Sequence, residues 1–300
     1  MQMRYLQDKV IGSMIGLAVG DAFGAPYEFK IPPYIVSSDY IEGGVHNVRI
    51  GEWTDDTSMT LCLAESLLEK QGFDAKDQIE KYILWKEFGY FSTRGYCFDI
   101  GNTVEKALNN YQKTNDPYSG LRGDENSGNG SLMRLAPIAL YYSKNVNELI
   151  KYAKLSSLTT HQSELAVGAC IFYAQLIKGA INGVDKEMLL SKDFVDKDEL
   201  RPEIVKIIEG SYKKNKLYKP TGYVIDTLEV ALMAFNRFNT FEEGLLHTIS
   251  LGYDTDTVGA VYGQLAGAFY GYDQIPLKWK NALINHDEIY KIASRFINIY

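Results

Sequence analysis

Two short stretches of threonine and aspartate, residues 54–56 and 254–257, each stand at the start of a predicted helix. Either stretch alone is typical of a helix N-terminus, where such residues cap free N–H groups and favour the helix dipole. Together they carry more oxygen atoms than two caps can use. Oxygen-only ligand sets suit hard divalent cations such as Mg²⁺ and Mn²⁺ rather than zinc. The candidate metal ligands are Thr54, Asp55, Asp56, Asp254, Asp256 and Thr257.

Charge balance favours two ions in such a site. Two divalent cations would neutralise the four aspartates of these stretches, which without metal would repel one another and retain some protons. The whole chain is acidic, with 31 basic and 38 acidic residues and a formal net charge of −7. It therefore has no electrostatic reason to bind nucleic acid or an anionic membrane. An anionic substrate would need positive charge at the site, and a two-metal centre would supply it.

Further candidates for substrate contact lie between the two stretches. Glu28 follows the first predicted helix and Asp99 lies at a step from loop to helix. Taken alone, Glu28 is better explained as a solvated loop acid and Asp99 as a helix N-cap. Residues 128–131 form a small-residue loop before an apolar helix. Such loops bind anions through backbone N–H groups, although a simple turn gives the same pattern. His161 could position a substrate, but a lone histidine at a helix start is more often a cap or a surface group.

The elements that must position these residues are helices. Helical periodicity dominates, and no repeated strand–helix alternation is present, so an all-α fold in one domain over residues 1–300 is predicted. Two segments, 112–131 and 185–220, are predicted to be loops. Helices are predicted over residues 8–22, 56–70, 76–88, 103–111, 133–142, 147–156, 162–182, 202–213, 223–236, 241–251, 257–270, 278–285 and 287–298.

Glycine recurs at every fourth residue in predicted helices near both ends of the chain. Residues four apart line one ridge of a helix, and each helical glycine costs about 1 kcal/mol relative to alanine. Such rows persist where two backbones approach closely. Two arrangements fit: the ridges pack against each other in the middle of one bundle, or each packs on bulkier helices. The rows are Gly12, Gly16, Gly20 and Gly24, and Gly259, Gly263, Gly267 and Gly271.

Cellular location is read from the cysteines and the N-terminus. The three cysteines are widely spaced and odd in number, so neither a disulfide framework nor a zinc knuckle is predicted. The apolar stretch from Val10 to Gly20 is shorter than the roughly 20 residues that span a bilayer, and no cleavage site follows it. A cytoplasmic protein with reduced thiols and no membrane partner is expected. A monomer is expected too, since no exposed apolar heptad seam is present.

Six motifs occur in a fixed order from about Gly12 to the C-terminal helices. They are GSMIGLAVGDAFGAPYEF, GEWTDDTSMTLCLAESL, FDIGNT, GNGSLMRLAPIAL, SSLTTHQSELAVGACIFYAQLI and GYDTDTVGAVYGQLAGAFYG. Any one motif is weak, but six in order are specific. In these motifs the chain resembles the ADP-ribosylglycohydrolase family, which includes the dinitrogenase-reductase-activating glycohydrolases.

The resemblance implies a compact orthogonal bundle of helices with two Mg²⁺ or Mn²⁺ ions in a central cleft, held by the six candidate ligands. Glu28 matches the family's mobile glutamate near the metals. Asp99 matches the aspartate that has a catalytic or substrate-orienting role. The positions that match residues lining the ADP-ribose groove are Asn102, Gly128, Asn129, Gly130, Ser131 and His161.

The resemblance also implies an enzyme that hydrolyses the glycosidic bond between ADP-ribose and a modified acceptor. An arginine-linked protein is the favoured acceptor, while serine, a nucleic-acid base and a small molecule stay open. Either Glu28 or Asp99 would transfer the proton. Two other classes compete: a dimetal phosphoesterase, and a non-catalytic binder that neutralises an ADP-ribosyltransferase. Because a pure binder would usually lose metal ligands and all six positions are filled, catalysis is favoured.

Overall fold

The computed structural model describes residues 2–214 and 217–300. Within these ranges the chain forms fourteen α-helices and no β-strand, with only three isolated bridges, which confirms the all-α prediction. The helices are α1 (Gln2–Gly24), α2 (Asp55–Lys70), α3 (Ala75–Phe88), α4 (Asn102–Thr114), α5 (Ala136–Tyr141), α6 (Val146–Leu158), α7 (Glu164–Ile181), α8 (Lys186–Leu189), α9 (Pro202–Ile208), α10 (Val224–Arg237), α11 (Phe241–Ser250), α12 (Thr255–Tyr270), α13 (Leu277–Ala282) and α14 (His286–Arg295). Short 3₁₀ helices cover Ala25–Tyr27, Asp124–Asn126, Ser211–Lys213, Tyr272–Gln274 and Phe296–Ile299.

The two segments predicted to be loops are partly helical. α4 continues to Thr114 and ends where Asn115 adopts the left-handed conformation, with φ of 58°, which asparagine tolerates better than most residues. The segment 185–220 contains α8 and α9, so the prediction of a loop is wrong at α8, whereas α9 lies inside the helix predicted over residues 202–213. α5 begins at Ala136 rather than at residue 133, because Pro137 favours the first turn of a helix.

The apolar N-terminal segment belongs to a longer helix than its sequence suggests. Two segments, Met3–Tyr27 and Glu164–Ile181, are long and apolar enough to cross a bilayer by length and composition. Their apolar windows are 100% and 72% buried inside the protein, so these residues pack in the core. All three cysteines are free, and a cytoplasmic location stays a prediction.

The two glycine rows face each other. A Cβ atom added to Gly16 would lie 2.4 Å from the carbonyl oxygen of Gly263, and one added to Gly263 would lie 2.0 Å from that of Gly16. Gly20 and Gly259 repeat this relationship, at 2.0 and 2.4 Å. The partners run in opposite directions along the chain, so α1 and α12 pack antiparallel with their backbones in contact. Of the two arrangements that the sequence leaves open, direct packing of the ridges is the one observed.

This antiparallel contact places the C-terminal end of α1 beside the N-terminus of α12. A Cβ atom on Gly24 would lie 2.3 Å from the carbonyl oxygen of Thr255, and the Thr255 hydroxyl donates a 2.8 Å hydrogen bond to the carbonyl oxygen of Gly24. Asp21, one turn before the end of α1, therefore lies close to the first turn of α12. The glycine ridge thus brings acidic residues from both ends of the chain to one place.

Candidate metal centre and substrate cleft

The N-termini of α2 and α12 converge at the C-terminal end of α1. The hydroxyl of Thr54 lies 3.5 Å from an Asp256 carboxylate oxygen. Carboxylate oxygens of Asp21, Asp56 and Asp256 all lie within 4.8 Å of one another, as do those of Glu28, Asp254 and Asp256. The two stretches that are remote in sequence therefore form one acidic site.

Asp56 shows how well the site fits a cation. Its side chain is fully buried, and neither carboxylate oxygen has a hydrogen-bond partner among the described residues. Burial, and then the nearby charges of Asp21 and Asp254, raise its pKa well above the usual range. A buried carboxylate without donors is costly unless a cation or a proton compensates it. Because the atoms around Asp56 that could bind a metal are carboxylate and hydroxyl oxygens, a hard divalent cation fits this position.

Asp55 and Asp256 lie in the same environment. Burial raises the pKa of each carboxyl group well above its usual value, and the charges of Asp99 and Glu28 add to the effect. The backbone N–H of Thr257 donates a 2.8 Å hydrogen bond to one Asp256 oxygen. Asp55, Asp256 and Thr257 all line the open cleft beside the acidic site, whereas the fully buried Asp56 does not.

Asp254 is held by a residue that the family resemblance assigned to substrate binding. The Asn129 side chain donates a 2.7 Å hydrogen bond to Asp254 and a 2.8 Å bond to the hydroxyl of Thr227. Burial raises the pKa of Asp254, and the Asn129 bond opposes part of that rise. Asn129 therefore orients a candidate metal ligand as well as lining the cleft.

Asp21 is a component of the site that the sequence analysis missed. Its buried carboxylate accepts hydrogen bonds from the backbone N–H and hydroxyl of Thr54, at 2.9 and 2.8 Å, and from those of Thr57, at 3.0 and 2.6 Å. Burial raises its pKa to about 6, although these four bonds lower it. Thr54 does not cap its own helix. Asp21 caps α2 from α1 instead. Its one sequence signal is an acid inside an apolar, glycine-rich helix.

His46 is the second component that sequence reasoning missed. Its Nε2 atom lies 3.1 Å from Glu28 Oε2 and 3.2 Å from Asp99 Oδ1, which are ion-pair distances without the alignment of hydrogen bonds. The carboxylates of Asp99 and Glu28 raise the pKa of His46 to about 10, against a smaller opposing effect of burial. Burial raises the pKa of Glu28 to about 7. One imidazolium therefore joins the two candidate proton-transfer groups, and nothing in its sequence context marks it.

The backbone holds Glu28 and Asp99 by unusual local conformations. Glu28 follows the 3₁₀ helix Ala25–Tyr27, and the next residue, Phe29, has φ of 61°. Its N–H donates to the carbonyl oxygen of Tyr253, which itself has φ of 63°. Asp99 has φ of 54°. Non-glycine residues with positive φ are uncommon and cluster at functional sites.

A cleft of about 610 Å³ opens beside the acidic site. It is large enough for a nucleotide-sized ligand. Ser131 does not line it, because the Ser131 hydroxyl points into the core and lies 2.8 Å from the hydroxyl of buried Ser157. The other residues of the predicted ADP-ribose groove do line it, together with Glu28 and Asp99: Asn102, Gly128, Asn129, Gly130 and His161. Their individual roles stay predictions.

Comparison with known proteins places the whole chain in one family. Residues 2–300 match the family model described as ADP-ribosylglycohydrolase. The chain is 36% identical over 290 residues to the ADP-ribosylarginine hydrolase Tri1 of Serratia proteamaculans (strain 568), covering 96% of this chain and 78% of that protein. It is 31% identical over 286 residues to the ADP-ribosyl-dinitrogen reductase glycohydrolase of Rhodospirillum rubrum, covering 93% of this chain and 91% of that protein.

A solved structure agrees with these sequence relationships. The structure described as an ADP-ribosylglycohydrolase-related protein complex has a TM-score of 0.88 and 40% sequence identity, and the match covers 99% of this chain and 99% of that one. The chain belongs to the ADP-ribosylglycohydrolase family. The fold and the family that the six motifs suggested are thereby confirmed.

Proposed function

We propose that this protein is a metal-dependent hydrolase that releases ADP-ribose from arginine side chains of modified proteins. The observation that carries the proposal is the convergence of residues 54–56 and 254–257 beside a cleft of about 610 Å³, where neither Asp56 oxygen has a hydrogen-bond donor within the described part of the chain. Membership of the ADP-ribosylglycohydrolase family supports hydrolysis of a bond to ADP-ribose. The name of the Tri1 relative, an ADP-ribosylarginine hydrolase, supports the arginine linkage.

The acidic site would hold two Mg²⁺ or Mn²⁺ ions. Bound there, the ions would supply positive charge and Lewis acidity beside the sugar. Asp21 would position Thr54 and Thr57 rather than bind a metal ion itself, since its oxygens already accept hydrogen bonds from these two residues. The residues that would hold the ions are Thr54, Asp55, Asp56, Asp254, Asp256 and Thr257.

Glu28 and Asp99 would handle the proton. Glycosidic hydrolysis needs one group that protonates the leaving atom and one that activates water, and a carboxyl group does either task well when its pKa lies near the working pH. Glu28 is the better proton carrier, because the residue is only 5% exposed and burial raises its pKa to about 7. Asp99, across His46, would orient the attacking water or the acceptor.

The cleft's own residues would orient the rest of the substrate. The loop 128–131 presents small residues against the His161 ring, which leaves room for a pyrophosphate to approach the backbone. Asn102 lies at the N-terminus of α4 on the cleft wall, where a helix dipole favours an anionic group. These contacts would hold the ADP-ribose moiety in the cleft, while the released acceptor would leave through the open side of the cleft.

The direct test offers the enzyme arginine-, serine- and base-linked ADP-ribose with Mg²⁺ or Mn²⁺ and measures free ADP-ribose. We expect release from the arginine-linked substrate and loss of activity in EDTA that either metal restores. Release of ADP-ribose from only the serine- or base-linked substrate would contradict the proposal that arginine is the acceptor. Turnover of a phosphate ester without any glycosidic hydrolysis would favour the dimetal phosphoesterase. Full function of a protein with both Asp55→Ala and Asp256→Ala would favour the non-catalytic binder.

A further inference from the structure

A buried chain of polar side chains leads from Arg134 to the cleft. Arg134 is 1% exposed, although it is a charged residue. Its Nη1 atom donates a 2.5 Å hydrogen bond to the carbonyl oxygen of Gly130, and its Nη2 atom donates a 2.7 Å bond to the hydroxyl of Thr160. The Thr160 hydroxyl in turn lies 2.8 Å from Nδ1 of His161. His161 lines the cleft.

We propose that Arg134, acting through Thr160, fixes His161 as a neutral imidazole whose single proton sits on Nε2. Arg134 and Thr160 are then positioning residues, and His161 presents an N–H donor to the cleft. The consequence for the ligand rests on the function proposed above, but the protonation pattern itself does not.

The direction of each hydrogen bond follows from the donors available. A guanidinium has donors only, so the Thr160 oxygen must accept from Arg134. A hydroxyl has one proton, and no described acceptor other than His161 Nδ1 lies within its reach. If Nδ1 carried the proton, the buried Thr160 hydroxyl would keep an unpaired O–H, which is unfavourable. Nδ1 therefore accepts, and the proton of the neutral ring lies on Nε2.

The doubly protonated ring is excluded by its surroundings. His161 is 1% exposed and Thr160 is fully buried. Burial, and then the charge of Arg134, lower the pKa of His161 to about 3. The backbone of His161 is also fixed, because its N–H donates to the carbonyl oxygen of Ser157 at 2.7 Å and its carbonyl accepts from the Ser157 hydroxyl at 3.0 Å.

The free Nε2–H lies against the small-residue loop. A Cβ atom added to Gly128 would lie 3.2 Å from His161 Nε2, and one added to Gly130 would lie 2.9 Å from Cε1. The same Arg134 side chain that holds Thr160 also holds the carbonyl of Gly130. The buried Arg134 side chain therefore positions both the loop 128–131 and the Nε2–H donor of His161 beside it. A ligand group at this point of the cleft must be an acceptor, such as an anionic phosphate oxygen.

The test begins with the unmodified protein and no ligand. The chain has four histidines, so ¹H–¹⁵N correlation spectra of the histidine-labelled protein resolve each ring, and the spectrum of His161→Asn assigns the His161 signals. We expect a bare Nδ1 and a protonated Nε2 near neutral pH. A protonated Nδ1, or protons on both nitrogens, would overturn the proposal whether or not the enzyme is active.

Two variants then separate the hydroxyl from the packing. Thr160→Ser keeps the hydroxyl, and we expect the tautomer and the Kd for ADP-ribose to stay as in the unmodified protein. Thr160→Val removes it, and we expect a mixture of tautomers with ADP-ribose binding weakened about tenfold. A Thr160→Val spectrum identical to that of the unmodified protein would overturn the role of Thr160. Failure of the unmodified protein to bind ADP-ribose would count against the proposed function and leave the tautomer result standing.

Discussion

Asp21, in the last turns of α1, accepts hydrogen bonds from both the backbone N–H and the hydroxyl of Thr54, at 2.9 and 2.8 Å. The two residues come from different elements, and the contact fixes the N-terminus of α2 against α1. The capping function at this helix start is therefore supplied by another helix. The acids that follow Thr54 are left free to face the site.

Replacing Asp21 should weaken the metal site without removing a ligand. In Asp21→Asn one accepting oxygen becomes an NH₂ group, which faces the N–H donors of Thr54 and Thr57. Loss of such a supporting contact costs about 10–100-fold in metal affinity or activity. The measurement is the Mn²⁺ concentration that restores half of the activity after EDTA treatment. Asp287→Asn, at a side chain that is 91% exposed, is the control, and equal behaviour of the two variants would contradict the role of Asp21.

The glycine contact between α1 and α12 should tolerate no side chain. In Gly16→Ala the new methyl group would lie 2.4 Å from the carbonyl oxygen of Gly263, so the helices must separate, at a cost of about 1–3 kcal/mol. Gly168→Ala is the matched control, because its methyl group meets only ordinary contacts, the nearest at 3.4 Å. That helical glycine should gain about 0.5–1 kcal/mol. Urea unfolding measures both free energies, and an unchanged Gly16→Ala protein would refute the backbone contact.

Removing His46 should slow turnover. Its imidazolium lies 3.1 Å from Glu28 and 3.2 Å from Asp99, and without it the two carboxylates repel each other and lose their alignment. We expect His46→Ala to lower kcat about tenfold, or roughly 1.4 kcal/mol, with the Kd for ADP-ribose nearly unchanged. His46→Gln, which keeps a donor, should lose less. His286→Ala serves as the control. A His46→Ala enzyme with full kcat would show that the contact of His46 with Glu28 and Asp99 does not contribute to turnover.

Buried, neutral His161 should make the protein less stable in acid. Its folded pKa is lowered to about 3, below the unfolded value of about 6.5, so between these values the unfolded state binds a proton that the folded state does not. The free energy of unfolding should therefore fall as the pH drops below about 6.5, by up to about 1.4 kcal/mol per pH unit from this group. Urea unfolding in EDTA measures the slope. His161→Asn should show a shallower slope, and an equal slope in both proteins would contradict the buried neutral ring.

The sequence predicts the parts of the site whose residue types exceed their structural needs. Residues 54–56 and 254–257 carry more carboxylates than two helix starts require, so metal binding can be predicted from them before any fold is known. Asp21 and His46 have no such excess. The role of Asp21 exists only because α1 and α2 meet, and that of His46 only because a loop lies over Glu28 and Asp99.

In the fold, too, local features are predictable from the sequence and tertiary contacts are not. Helices are predicted from local periodicity, and the glycine rows indicate a close approach, but local pattern does not name the partner of each row. Ser131 illustrates the limit in the cleft. The motif places it beside Gly130 in the loop, yet its side chain turns to Ser157 in the core. Side-chain direction in an irregular loop depends on tertiary contacts that a motif does not carry.

The central claim is that two remote acidic stretches bind a pair of divalent cations. Anomalous diffraction from a crystal grown with Mn²⁺ tests it most directly. We predict two anomalous peaks within bonding distance of oxygens from Asp55, Asp56, Asp254 and Asp256. A map with no peak among these carboxylates, at a Mn²⁺ concentration that supports full activity, would contradict the claim.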